Sequence, residues 1–179
     1  MIGRKIVKYI TIIILKIKYG KHIQCPWSVY IDPSIRIRFN GQGKVIFGDN
    51  VEIRSNVVIN VSDGGIVTVD NNSFINDYCC INARDHISIG ENCQIGQGVK
   101  IYDHDHDYSI EDSRHNFLVD QVIISNKTWI GSNVVILKGT RIGENCVIGA
   151  GTIIKCTVPA GTVCYTHTDL TMKSVSKSS

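Results

Sequence analysis

A chain of 179 residues with 43% hydrophobic residues is the size of one folded unit able to bury a core. Its 19 basic and 16 acidic residues leave a net charge of only +3, without the overall excess that marks a nucleic-acid binder. Aromatic residues at 7% and three prolines against 16 glycines suit many short strands and tight turns better than a helical bundle.

The seven cysteines, Cys25, Cys79, Cys80, Cys93, Cys146, Cys156 and Cys164, are odd in number and include no CxxC pair. No histidine stands at zinc-finger spacing, so neither a disulfide framework nor a structural zinc site is expected, and a reduced cytoplasm is the simpler compartment.

Residues 1–29 form a basic, apolar N-terminal segment with Arg4, Lys5, Lys8, Lys16, Lys18 and Lys21 and no acid before Lys21. Its run of Ile10, Ile12, Ile13, Ile14 and Leu15 falls far short of the roughly 20 residues that span a bilayer. The lysines after it and the missing small-x-small cleavage site argue against a signal peptide. Two readings remain: a basic amphipathic element on an anionic membrane surface, or a helix or strand packed against the first coil with its lysines solvated. The second is favoured.

From Ile31 a six-residue beat sets in: Ile31 and Ile37; Phe47, Ile53 and Ile59; Val69, Ile75 and Ile81; Ile89, Ile95 and Ile101. It ends in Ile124, Ile130, Ile136, Ile142, Ile148 and Ile154. An α-helix would scatter a period of six around its surface, whereas six residues per side build a triangular solenoid of eighteen residues per coil. Each beat residue then points inward, and a second inward position four residues later must be small. That position reads Val51, Val57, Cys79, Cys93, Val99, Thr128, Val134, Thr140, Cys146 and Thr152. Three cysteines are thereby explained as core residues.

The slips at SDGG, between Ile59 and Val69, and between Ile81 and Ile89 read as turns. Between Ile101 and Ile124 the interval is too long for a turn, so residues 102–123 should leave the solenoid as a loop, where function tends to sit. This loop carries His104, His106 and His115 among Asp103, Asp105 and Asp107. In an extended segment His104 and His106 point the same way, so spacing does not separate them. A neighbouring carboxylate could orient either imidazole through its other nitrogen, or simply be a polar loop residue.

The segments IGENCQIGQGVKI, WIGSNVVI and IGENCVIGAGTII resemble the hexapeptide-repeat acyltransferases over residues 30–160. The order FIND, ISIGENCQIG, a His-bearing loop, WIGSNVVI and IGAGTII is similar to sugar and polysaccharide O-acetyltransferases of the galactoside, maltose and nodulation type. The resemblance implies an all-β left-handed parallel β-helix, assembled as a homotrimer with active sites between adjacent subunits, and acetyl-CoA as co-substrate without a metal.

It further implies a catalytic histidine at His106, with His104 as second choice, and acceptor binding by Asn76, with Asp77 and Asp105 as further candidates. Asp77 could equally cap its turn. Trp129 matches the position that packs along the pantetheine arm, with trimer packing as the alternative, and Ser132 the one whose backbone N–H meets the thioester oxygen. Ala150, Gly151 and Thr152 match the small wall of the cofactor site, and Lys155, Lys138 or Arg141 could reach a phosphate.

The chain departs from many relatives in lacking a Gly-x-Pro-Ala segment after Cys164, within a C-terminal tail at 161–179. The expected reaction is direct acetyl transfer to a sugar hydroxyl of a surface-polysaccharide precursor, such as a lipid-linked saccharide at the inner face of the cytoplasmic membrane. Alternatives are N-acetylation of an amino-sugar nucleotide, a zinc lyase resembling the γ-carbonic anhydrases, and a non-catalytic scaffold. The zinc family pairs ligands as His-x4-His, which the spacing from His104 and His106 to His115 does not reproduce.

Overall fold

The computed structural model describes residues 2–167, so the expected tail lies outside the described residues from 168 onward. Three parallel sheets form the walls of a triangular prism. The first wall stacks seven strands from Ile23–Gln24 to Thr157–Val158. The second stacks seven from Tyr30–Ile31 to Val163–Cys164, and the third six from Arg36–Asn40 to Ile153–Ile154.

Most strands are too short to hold themselves, and stacking supplies what each lacks. Gly96 N–H donates to Ile130 O at 2.8 Å and Gly131 N–H to Ile148 O at 2.7 Å, so one coil's backbone is satisfied by the next. The same register aligns Ile53, Ile75, Ile95, Ile130 and Ile148 in one column, each no more than 1% exposed. All ten small inward positions are buried as expected.

Within that core the Cys79, Cys93 and Cys146 thiols donate to the carbonyls of Gly96, Ser125 and Pro159 at 3.1 to 3.2 Å. Burial pushes the Cys79 and Cys25 thiols up to about 11, which strips them of reactive thiolate at neutral pH. Native protein treated with a thiol reagent near neutrality should therefore be labelled first at exposed Cys156, and at Cys25 and Cys79 at least ~10-fold more slowly, as read by peptide mass spectrometry.

Coils are not uniformly eighteen residues. Val45 pairs with Val67, a 22-residue coil, whereas Ile123 pairs with Arg141, an 18-residue coil. The surplus sits at one edge, between the third and first walls, where third-wall strands such as Val58–Ser62 run on before turning. At that edge Gly43 is pinned: a Cβ there would lie 2.6 Å from a Val61 methyl. The loop expected at 102–123 leaves by this same edge, after Lys100–Tyr102, and returns at Val122–Ile124.

The N-terminal segment begins as a helix, Ile2–Tyr19. Thr11, Ile12 and Leu15 are buried against the first coil. Lys8 Nζ and the Tyr19 hydroxyl tie the helix down by donating to Ser28 O and Ile37 O at 2.8 and 2.7 Å. This packed helix closes the N-terminal end of the prism, and its other face is exposed.

Candidate active site

The loop starts from a substitution in the core. Along the third wall, Phe39, Val61 and Ala83 occupy one inward column, and the next residue in that column is Asp103. A bare carboxylate there would be costly, and Asp103, 0% exposed, is compensated by four contacts. Arg84 N–H lies 2.9 Å from both carboxylate oxygens, Asp85 N–H donates to Oδ2 at 2.8 Å, and His104 Nδ1 stands 2.8 Å from Oδ1. Because the carboxylate accepts, neutral His104 must carry its proton on Nδ1, leaving the Nε2 lone pair facing away from the core.

Asp103 also closes the loop through its backbone, its carbonyl accepting Asp120 N–H at 2.9 Å. Beyond it, His104–His106 pairs antiparallel with Phe117–Val119. The Phe117 ring meets His104 edge-on at 5.5 Å and His106 at 4.6 Å between centroids. Arg84, ion-paired with Asp63, lies with its guanidinium carbon 3.3 Å from the Phe117 centroid. His106 itself is exposed, its Nδ1 2.8 Å from the carbonyl of Ser113.

Lys155 joins this edge, its Nζ 3.8 Å from Asp105 Oδ2, an exposed pair of small energetic weight. Asp107 is engaged within the loop: its carboxylate accepts from the hydroxyl and backbone of Ser109, which hold it below the usual carboxylate range. His115 pairs with Asp112 in the loop, and His86 lies on the first wall. Among the described residues no three metal-ligating side chains are grouped within one chain.

The other predicted residues stack along a different edge, between the second and third walls. Asn76 follows the strand Phe74–Ile75, and Ser132 and Ala150 follow the corresponding strands two and three coils on. Asp77 is used structurally, its Oδ1 accepting Ser55 N–H at 2.9 Å. The contrast with Ser132 is informative. Where Asp77 covers the amide of the coil before it, the residue over Ser132 is Ala150, which has no side-chain acceptor.

Ser132 O accepts Gly151 N–H at 2.9 Å, and Gly151 takes a φ of +72° that favours glycine. Thr152 turns inward and is 3% exposed, so only its backbone faces the edge. Trp129 heads its second-wall strand and is 55% exposed. Lys138 and Arg141 flank the first-wall end of the next coil.

Within one chain, then, the structure brings together Asp103, His104, Asp105, His106 and Lys155, and separately places Asn76, Ser132, Ala150 and Gly151 along the other edge. Residue spacing alone missed the roles of Asp103 as the buried anchor and of Arg84 and Phe117 as the packing beneath the histidines. The inward column through Val61 and Ala83 was the signal for Asp103.

A triangular parallel β-helix with one histidine-bearing excursion defines a class, and comparison with known proteins places the chain within it. Residues 121–163 match the family model for the bacterial transferase hexapeptide (six repeats). The chain is 30% identical over 131 residues to WbbJ of Escherichia coli (strain K12), covering 68% of this chain and 67% of WbbJ, a protein provisionally named a lipopolysaccharide biosynthesis O-acetyl transferase.

It aligns with the hexapeptide-repeat acetyltransferase VCA0836 of Vibrio cholerae in complex with acetyl-CoA at a TM-score of 0.58 and 20% identity, over 87% and 70% of the two chains. In another crystal structure of that protein the match spans just over half of each chain, 56% and 57%, at 27% identity and a TM-score of 0.53. A point mutant of the N-acyltransferase AntD of Bacillus cereus, in complex with dTDP-4-amino-4,6-dideoxyglucose and coenzyme A, aligns at a TM-score of 0.71 and 20% identity over 89% and 87%. The chain belongs to the bacterial hexapeptide-repeat transferases, with their left-handed parallel β-helix.

Proposed function

We propose that the chain transfers the acetyl group of acetyl-CoA to a hydroxyl of a saccharide used in surface-polysaccharide synthesis, with His104 as general base. The observation that carries this reading is the 2.8 Å contact between His104 Nδ1 and the fully buried Asp103. His106, the first choice from family spacing, rests on a backbone carbonyl instead. A carbonyl can fix a tautomer, but it does not balance the positive charge that develops on the ring as the proton arrives. The WbbJ likeness supports a polysaccharide acceptor, and the acetyl-CoA complex of VCA0836 supports the donor.

In the proposed reaction, His104 Nε2 takes the acceptor hydroxyl's proton as its oxygen bonds to the thioester carbon. The oxyanion so formed is met by Ser132 N–H, left open by Ala150 above it. Collapse breaks the carbon–sulfur bond, and the imidazolium returns its proton to the departing thiolate. No acyl-enzyme forms.

The two edges that carry these groups lie at different corners of one prism. A homotrimer would set the His104 edge of one subunit against the Asn76 and Ser132 edge of the next, with Trp129 along the cofactor. On this reading Trp129→Ala raises KM for acetyl-CoA roughly tenfold with an unchanged melting temperature, since the indole is exposed. Steady-state kinetics and a thermal melt check it.

The function itself is tested by thiol release from acetyl-CoA against a panel of nucleotide sugars and oligosaccharides. Release that depends on a saccharide is expected; a protein that releases thiol with none of them would overturn the assignment.

A further inference from the structure

We infer that the outer face of the N-terminal helix docks in the plane of an anionic lipid membrane. At 100° per residue, Ile6, Val7, Ile10, Ile13, Ile14 and Ile17 fall within about 120° of the helix circumference. This arc lies opposite the one holding Lys8, Ile12, Leu15 and Tyr19. Packing against the first coil is centred on the latter face, with Thr11 buried beside it. All six residues of the outer stripe are at least 40% exposed, Ile17 reaching 80%. An uninterrupted aliphatic stripe of this kind marks an interaction surface.

Its borders indicate the partner. Lys16 lies along one border, its Nζ 4.3 Å from the centroid of half-exposed Trp27, and Tyr9 packs on the same indole at 6.1 Å. Lys18 lies along the other border, over Tyr19 at 5.0 Å. Cations with amphipathic aromatic rings beside a purely aliphatic stripe are the groups that sit at headgroup level when a helix lies in a membrane interface. No acidic residue precedes Asp32, so the whole segment complements an anionic surface. A second copy docked face to face would instead set these lysines against their own counterparts.

Crossing the bilayer is not the alternative: among the described residues no helix is long and apolar enough to do so. The helix spans about 27 Å at 1.5 Å per residue, and docked in the plane it would stand the prism with its N-terminal end on the membrane.

The test is cosedimentation of the full chain with vesicles of phosphatidylcholine alone or mixed with phosphatidylglycerol, at low and high salt. Binding to the mixed vesicles that weakens with salt is expected. The double variant Ile10→Glu, Ile17→Glu should bind them at least ~10-fold more weakly with an unchanged melting temperature and oligomeric state. Should it fail to fold, Lys18→Gln keeps the test open, with an expected loss of about fivefold on mixed vesicles only. Wild-type protein that ignores anionic vesicles, or variants that bind them as wild type does, would overturn the inference. So would a double variant that changes oligomeric state without changing vesicle binding, which would make the stripe a contact between copies.

Discussion

His104→Ala is expected to lower kcat by roughly 10²–10⁴ while leaving KM for acetyl-CoA and the melting temperature close to wild type. The imidazole meets Asp103 and, edge-on, Phe117 of the loop, so its loss removes the proton acceptor and one loop contact while the Asp103 carboxylate keeps its two backbone donors. His106→Ala is the control within the same strand. Its ring is exposed and held by a carbonyl, so a loss of less than ~10-fold is expected, traceable to the Phe117 contact. Equal losses in the two variants would favour a shared role, and a larger loss at His106 would return the base to the residue that family spacing prefers.

Asp103→Asn should have a double effect, and the combination sets it apart. The carboxylate accepts from Arg84 N–H, Asp85 N–H and His104 Nδ1–H. A carboxamide offers one acceptor oxygen, so its NH2 must face at least one of these donors. The backbone amides cannot turn away, but the imidazole can change tautomer. It would then accept at Nδ1 and carry its proton on Nε2, where the base is needed. A kcat loss of roughly 10²–10⁴ follows. Arg84 N–H stands 2.9 Å from both carboxylate oxygens, so the carboxamide NH2 faces that buried donor in either orientation, which costs about 1–3 kcal/mol, a fall in melting temperature of several degrees for a chain of this size. Kinetics and a thermal melt on the same preparation check both. A variant that melts early but keeps its kcat would make Asp103 purely structural.

The fold was readable because one spacing, six residues, ties position to burial without exception. Ile53, Ile75, Ile95, Ile130 and Ile148 are all inward, and so are Cys79, Cys93 and Cys146 at the small positions. What periodicity did not reveal was coil length. An edge turn such as Ser62–Gly65 adds residues without disturbing either flanking column, so the beat resumes in phase with the wall and not with the count of eighteen.

The same limit governed the site. Loop residues 102–123 announced themselves by breaking the beat, but the buried partner on which the proposal of His104 over His106 rests is a matter of packing, not of spacing. Asp103 follows inward Ile101 by two residues, as buried Ala83 follows Ile81 and Val61 follows Ile59. Followed along that column, the sequence marks a carboxylate in a core position beside His104 and none beside His106. Trp129 and Ser132 were placed by motif alone. The absence of a side-chain acceptor over Ser132 became visible only once the register set Ala150 there.

The most direct test of hydroxyl transfer is the bond made to the acceptor. After incubation with acetyl-CoA and an active saccharide, the product should carry one added acetyl group that mild alkali removes, as an ester does, and formation of that ester should collapse in His104→Ala. An added acetyl group that survives alkali on an amino sugar would contradict the account and make the chain an N-acetyltransferase.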